Sequence, residues 1–250
     1  MLRQVCEIER RYRNIRVVAS SSGKLTKELV QYWVQNVSRP TVQRLSPPDE
    51  TERSQRRALL LMAVWSGQQS DVVIEDLEEA DVEVLSIPKL TTRELQPLDV
   101  FFNRQYKKLW KRIRQAAPDD SDAALAQLLT REGILNVQSL MGDQLNSPRY
   151  ENMIRYAWHK TDILFTHEEL DEDYIEIVQD VQFSFDESSK CQVDNCTNYA
   201  FIQCSHCNKR LCIHHFLERE CSHWDQEESE DLTVLSTICR VCSHYNRETR

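Results

Sequence analysis

Between residues 191 and 223 the chain spaces six cysteines and two histidines as C-x4-C-x7-C-x2-C-x4-C-x2-H-x5-C-x-H. The residues are Cys191, Cys196, Cys204, Cys207, Cys212, His215, Cys221 and His223. A segment this short cannot bury a core of its own, so cross-links or metal must hold it. Eight sulfur and nitrogen donors make two tetrahedral zinc sites with no position left for water, and closed sites of that kind are structural. Eight of the 9 cysteines lie after residue 190, and the start "MLRQVCEIERRYR" has no apolar segment of signal-peptide type. A reducing, intracellular setting and zinc rather than disulfides are therefore expected. The bland alternative is a soluble tail of free thiols.

The rest of the chain follows a different pattern. "NIRVVAS" (14–20) reads as a short strand, and "SGKLTKELVQYWVQNV" as an amphipathic helix with Leu25, Leu29, Trp33 and Val37 at helical spacing. "RPTVQRLSPPDETERSQR" reads as a loop. "ALLLMAVW" is wholly apolar, as strands buried in parallel sheets are. An acidic helix, "SDVVIEDLEEA", and a strand, "VEVLSIP", come next. A loop then leads into a helix from about Val100 to Ala117. Alternating strands and helices predict an α/β fold with a mostly parallel sheet. Ligands of such sheets lie at the strand C-terminal ends, where Ala63 and the loop carrying Asp99 fall.

Beyond residue 118 helices are expected. "DDSDAALAQLLTREG" begins with capping acids and stops at Gly133, and "SPRYENMIRYAWHKTDIL" has Pro148 in its first turn. Residues 165–190 form an acidic connector. The predicted organisation is a core over 1–118, a helical extension and linker over 119–186, and a Cys/His domain over 187–250.

The formal net charge is −9, which argues mildly against a dedicated nucleic-acid binder. The charge is uneven, however. "FNRQYKKLWKRIR" (102–114) holds six cations and no acid. Arg104, Lys107, Lys108, Lys111 and Arg112 are the candidate phosphate contacts, with Arg114 beside them. The plainer reading of this helix is a solvated face on a core helix. The aromatics of "QYWVQ" and "RYAWHK" read as core. No apolar run approaches the length of a membrane span.

The cysteine spacing resembles the AN1-type finger, with the last Cys and His exchanged in order. The favoured pairing is interleaved: Cys191, Cys196, Cys212 and His215 on one ion, and Cys204, Cys207, Cys221 and His223 on the other. His206 and His214 are competing ligands, and a single ion is the other arrangement. Cys239, Cys242 and His244 form a further half-site. Cys6 is isolated.

The stretch "LLLMAVWSGQ … VEVLSIPKLTTRELQPLDVFFNRQYKKLWKRI" resembles the C-terminal half of a DDE transposase catalytic core, nearest to the pogo/Tigger and mariner-type elements. That family has an RNase-H-like fold whose acids bracket two Mg²⁺ ions. In the resemblance, an Asp ends the central strand in a pattern like "LLLxDSWSG", and a second Asp follows in "QPLD". Residues 22–37 look like the helix before that strand. "SPRYENMIRYAWHKTDIL" and "CTNYAFIQCSHCNKRLCIHHF" look like the tail of some members, which ends in a Cys/His finger.

Two departures alter what the resemblance implies. The central strand's Asp falls on Ala63, which cannot hold a metal. The family's first Asp has no counterpart, since residues 1–13 offer only Glu7 and Glu9. Asp99 remains alone, and Asp71, Asp76 and Glu94 sit on a solvated helix or loop. The first two strands of the usual sheet and the DNA-binding N-terminal helices also have no counterpart, so an open sheet edge is expected. Mg²⁺ is not expected to support catalysis.

The expectation is a truncated, transposase-derived, nuclear protein. It has a partial RNase-H-like α/β core, following helices and a small C-terminal domain stabilised by two structural zinc ions. It binds DNA or a protein partner and is not an enzyme. The alternative is a zinc-finger protein-interaction module on a degenerate scaffold. An active endonuclease using other acids comes last. No membrane association is expected, and the sequence leaves the oligomeric state open.

Overall fold

In the computed structural model, residues 11–12, 14–18, 20–45, 58–64, 70–116, 127–162, 186 and 188–221 are described. The chain divides into two compact units. Among the described residues, one unit lies within 17–96 and the other combines those up to 16 with those of 97–221.

The first unit opens with α1 (Lys27–Trp33), whose N-cap Thr26 accepts a hydrogen bond from the backbone N–H of Leu29. A π-helical turn (Val34–Ser38) follows, and then α2 (Arg39–Leu45). Expected as a loop, 39–45 is therefore helical. Pro40 has no N–H and would break an ordinary α-helix here. The wider turn absorbs it: the Arg39 N–H reaches back five residues to the Val34 carbonyl.

Strand β1 (Ala58–Ala63) pairs in parallel with β2 (Val82–Ile87), from Ala58 opposite Val82 to Ala63 opposite Ile87. The crossover carries α3 (Asp71–Glu78), in which Val73 and Leu77, one turn apart, are both fully buried. Asp81 takes φ 57°, a left-handed conformation that Asp tolerates, to turn the chain into β2. One sheet face packs on the helices, with Val30, Val34, Met62, Val73, Leu77, Ala80 and Val82 as the core. The other face is more open: Leu59 is 43 % and Leu85 48 % exposed. The parallel α/β pairing matches the sequence reading of 58–88. Residues 14–18 and 20, however, are not a strand. Among the described residues their β-branched run finds no strand partner, and Asn14 donates to the Ser139 carbonyl instead.

The short α4 (Thr92–Leu95) closes this unit. The second unit starts with a π-helical turn (Leu98–Phe102) that leads into α5 (Asn103–Ala116). Phe101, Phe102, Gln105, Tyr106, Leu109 and Ile113 are buried along one stripe of this turn and helix. A 3-10 turn (Gln127–Leu129) precedes α6 (Arg131–Leu145). Gly133, read as a helix stop, lies in the first turn of α6. Its N–H donates to Oγ1 of Thr130, the N-cap, at 3.1 Å. Val137, Leu140, Met141 and Leu145 bury the apolar side of α6.

A 3-10 turn (Pro148–Tyr150) continues into α7 (Glu151–His159), where Met153 and Ala157 are buried. Tyr156 meets Phe101 edge to face at 4.9 Å between centroids. The Cys/His segment forms a two-stranded antiparallel ribbon, β3 (Ile202–Gln203) with β4 (Arg210–Leu211), and a short helix, α8 (Ile213–Leu217). Residues 97–116, 127–162 and 188–221 lie in the same unit. Most of the acidic connector, residues 119–126, the loop over 46–57 and the turn at 65–69 lie outside the described residues. No helix among the described residues is long and apolar enough to cross a membrane.

Candidate functional site

The ribbon and α8 gather the cysteines into two groups. Cys191, Cys196, Cys212 and His215 bring one ligand atom each within 4.8 Å of the others; Cys204, Cys207 and Cys221 do the same. These are the groups of the interleaved pairing. His223, Cys6, Cys239, Cys242 and His244 lie outside the described residues.

Local backbone chemistry builds both groups. The first begins at Cys191, whose N–H bonds the Asn198 carbonyl at 2.9 Å, with Asn195 at φ 61° turning the chain between them. Cys212 caps α8 and so places His215 one turn further on. The second begins in a knuckle. The Asn208 N–H donates to the Cys204 carbonyl at 2.9 Å, and the Cys204 N–H to the Lys209 carbonyl at 2.8 Å. Asn208, at φ 62°, supplies the left-handed residue such a turn needs.

Distances within the groups suit a tetrahedral ion. His215 Nδ1 lies 3.3 Å from Cys191 Sγ and 3.4 Å from Cys212 Sγ; Cys196 and Cys212 sulfurs are 4.0 Å apart. Cys207 and Cys221 sulfurs are 3.7 Å apart. Zinc bond lengths to sulfur and nitrogen imply ligand–ligand edges of about 3.5–3.8 Å. The donor set, thiols with imidazole, is that of a soft or borderline cation.

Without a cation such crowding penalises thiolates. Hydrogen bonding to Cys204 raises the Cys221 thiol above its ordinary range, and burial adds to it. Burial also raises Cys212. Cys191 goes the other way. Burial opposes ionisation there, but the N–H groups of Val193 and Cys212 and the side chains of His215 and Cys196 bring it down to about 7. A dication reverses the repulsion among the sulfurs and favours all the thiolates together.

His206 and His214 belong to neither group. The His206 ring points instead at α6, where its Nε2 lies 3.0 Å from the Asp143 carbonyl and 3.5 Å from the Asp143 carboxylate. Around it the Cys/His segment joins α6 through buried polar contacts. The side-chain oxygen of Gln144 accepts from the Ser205 N–H at 2.8 Å, and Ser147 Oγ donates to the Ser205 carbonyl at 2.9 Å. Arg149 bonds Asn208. At the far end, Asn136 donates to the Leu217 carbonyl at 2.9 Å, and Arg219 donates to Ser139 at 2.6 Å and lies over the Tyr12 ring. Arg219 holds φ 62° just past the end of α8, where its N–H donates to the Phe216 carbonyl and the Glu220 N–H to the His215 carbonyl. Sequence periodicity carries no sign of these contacts, whose hydrogen bonds join residues some sixty to eighty positions apart.

The basic residues of α5 share the solvent side. Arg104, Lys107, Lys108, Lys111, Arg112 and Arg114 are all exposed, opposite the buried stripe through Ile113. Asp99 is exposed in the turn just before them and accepts from Asn103 Nδ2 at 2.7 Å. Ala63 ends β1. Asp71 and Glu94 are exposed, and Asp76 accepts from Gln31 at 3.4 Å. Among the described residues the two cysteine groups are the only clusters of three or more potential metal ligands.

The described residues thus form a parallel α/β pair, a helical block and a Cys/His ribbon. Residues 2–160 match the DDE superfamily endonuclease family, and the chain belongs to that family. Residues 168–222 match the Tc5 transposase C-terminal domain, so the protein is transposase-derived along most of its length. No curated protein and no solved structure gives a significant match.

Proposed function

We propose that this protein binds DNA and does not cleave it, and that two zinc ions hold its C-terminal segment. The basic face of α5 carries the binding reading: six exposed cations on one helix, opposite a stripe that ends at the fully buried Ile113. Phosphate contacts through such a face supply sequence-independent affinity. Ala63 carries the second half. A methyl group stands at the strand end where the family places a carboxylate, and Asp99 cannot bracket two ions alone. Cys191, Cys196, Cys212 and His215 would hold one zinc; Cys204, Cys207, Cys221 and His223 the other. Zinc supplies cross-linking there and no reaction chemistry. A nuclear location follows from this reading.

The test is duplex DNA with Mg²⁺ or Mn²⁺, scored on one gel for binding and for cleavage. A shifted band without product supports the proposal. Product that disappears in Asp99→Ala would refute the inactive reading. No band shift at low salt would refute DNA binding and favour a protein-interaction role for the zinc module.

A further inference from the structure

Both cysteine groups lie within residues 188–221, yet one touches a residue from far outside that segment. Gln144, in the last turn of α6, is 2 % exposed, and Cys204 is 1 % exposed. The Gln144 Nε2 donates to Cys204 Sγ at 3.5 Å. We propose that Gln144 is a positioning residue for the second metal site, so that the matched DDE region supplies an outer hydrogen bond to a ligand of the matched Tc5 C-terminal region. This inference rests on the zinc reading above.

The amide orientation is fixed by its partners. The Gln144 Oε1 faces the Ser205 backbone N–H at 2.8 Å and Ser205 Oγ at 3.1 Å. A backbone N–H only donates, so the oxygen must stand there. The NH₂ group must then face Cys204 and the Asp143 carboxylate, which accepts from it at 3.2 Å. Ser205 Oγ donates to the Gln144 carbonyl at 2.8 Å and ties the same two residues a second time. The donor is thus oriented before any metal arrives. When Cys204 binds zinc as a thiolate, this N–H receives a charged acceptor in a dry site, where such bonds are strongest. Outer hydrogen bonds of this kind fix ligand orientation, and removing one costs about 10–100-fold in metal affinity.

Gln144→Glu separates positioning from packing. A carboxylate keeps the size and can still accept from Ser205, but it sets an oxygen, not a donor, against the sulfur. The full-length protein is loaded with zinc and stripped stepwise with a chelator. Native mass spectrometry counts the ions, and alkylation followed by peptide mapping reports which cysteines are freed. The expected result is selective loss: Cys204, Cys207 and Cys221 become reactive at a free zinc level about 10–100-fold higher than in wild type, while Cys191, Cys196 and Cys212 stay protected as before. In the cobalt-substituted protein the sulfur-to-metal charge-transfer band should move to longer wavelength, because an unbonded thiolate holds its electrons less tightly. Ser205→Ala, which removes a hydroxyl but not the N–H···S bond, should leave that band in place.

Equal affinities at the second site in wild type and Gln144→Glu would overturn the inference. So would equal weakening at both sites, which would make Gln144 a residue of the fold alone. A wild-type chain that holds no ion would sink the zinc reading itself, and an intact two-ion wild type keeps the two failures apart.

Discussion

His215 Nδ1 stands 3.3 Å from Cys191 Sγ, across a loop of 24 residues. Ile202, Leu211 and Phe216 are the only large apolar side chains buried among the described residues of 188–221, too small a core to hold the segment alone, so the contact should depend on metal. Chelation is expected to open residues 188–221 to amide exchange and leave β1 and β2 protected. His215→Ala should lower the bound zinc from two ions to one. Structural zinc sites in small fingers contribute roughly 10–16 kcal/mol of apparent binding energy to folding, so the exchange difference should be large. Unchanged exchange after chelation would contradict it.

The exposed face of α5 predicts a salt-dependent affinity. Arg104→Ala, Lys107→Ala and Lys111→Ala together should weaken duplex binding at all sequences alike. Every phosphate that no longer meets a cation should flatten the log–log salt slope by about 0.9. A triple variant with wild-type affinity and slope would place the binding surface elsewhere.

Ala63 predicts a silent active site. The wild type should neither cut nor join DNA, because a methyl group cannot hold a metal ion where the resemblance places a carboxylate, and cleavage by the wild type would overturn this. Cleavage by Ala63→Asp alone would show that a third carboxylate is already in place.

Tyr12 predicts an alkaline limit to stability. Burial raises its hydroxyl above the ordinary value, against the opposing pull of the Arg219 charge, while Glu132 adds to the rise. The folded state then holds this proton more tightly than the unfolded chain. The contribution is therefore complete below about pH 10, the ordinary tyrosine value, and is lost as pH climbs through the raised one. Denaturant midpoints measured from pH 8 to pH 11 should fall at the upper end for wild type, and fall less for Tyr12→Phe. Parallel curves would remove Tyr12 as the cause.

Thr130 caps α6 through the Gly133 N–H at 3.1 Å. Thr130→Ala should destabilise by about 1 kcal/mol and Thr130→Ser by much less. Chemical denaturation of both variants measures this directly.

Some of this was legible from sequence. The apolar run at 58–63 and the 3.6-residue pattern at 71–78 led to the parallel pair, because burial on both sides of a crossover leaves that imprint. The order of ligands led to the two cysteine groups. Where local rules misled, a partner outside the window had decided. Gly133 looked like a stop, but a threonine three residues earlier makes the same residue a start. Ile15, Val17 and Val18 have strand chemistry but pair with no strand among the described residues, and Asn14 bonds the Ser139 carbonyl at 2.7 Å instead. Pro40 looked like loop, but a five-residue turn before it removes the missing-donor problem. The Gln144–Ser205 union had no local signature, since nothing in periodicity announces a hydrogen bond across 61 positions.

The interleaving of the two cysteine groups has a consequence for synthesis. A ribosome delivers Cys191 and Cys196 first, then Cys204 and Cys207, before any closing partner exists. The pair emerging first must stay open while the second pair passes, for Cys212 and His215 close one ring and Cys221 the other. The two rings overlap in the chain, so a cut between Cys207 and Cys212 would leave each ring with ligands on both fragments. Severed there with an ion in each group, as proposed, the polypeptide would remain one object, riveted twice.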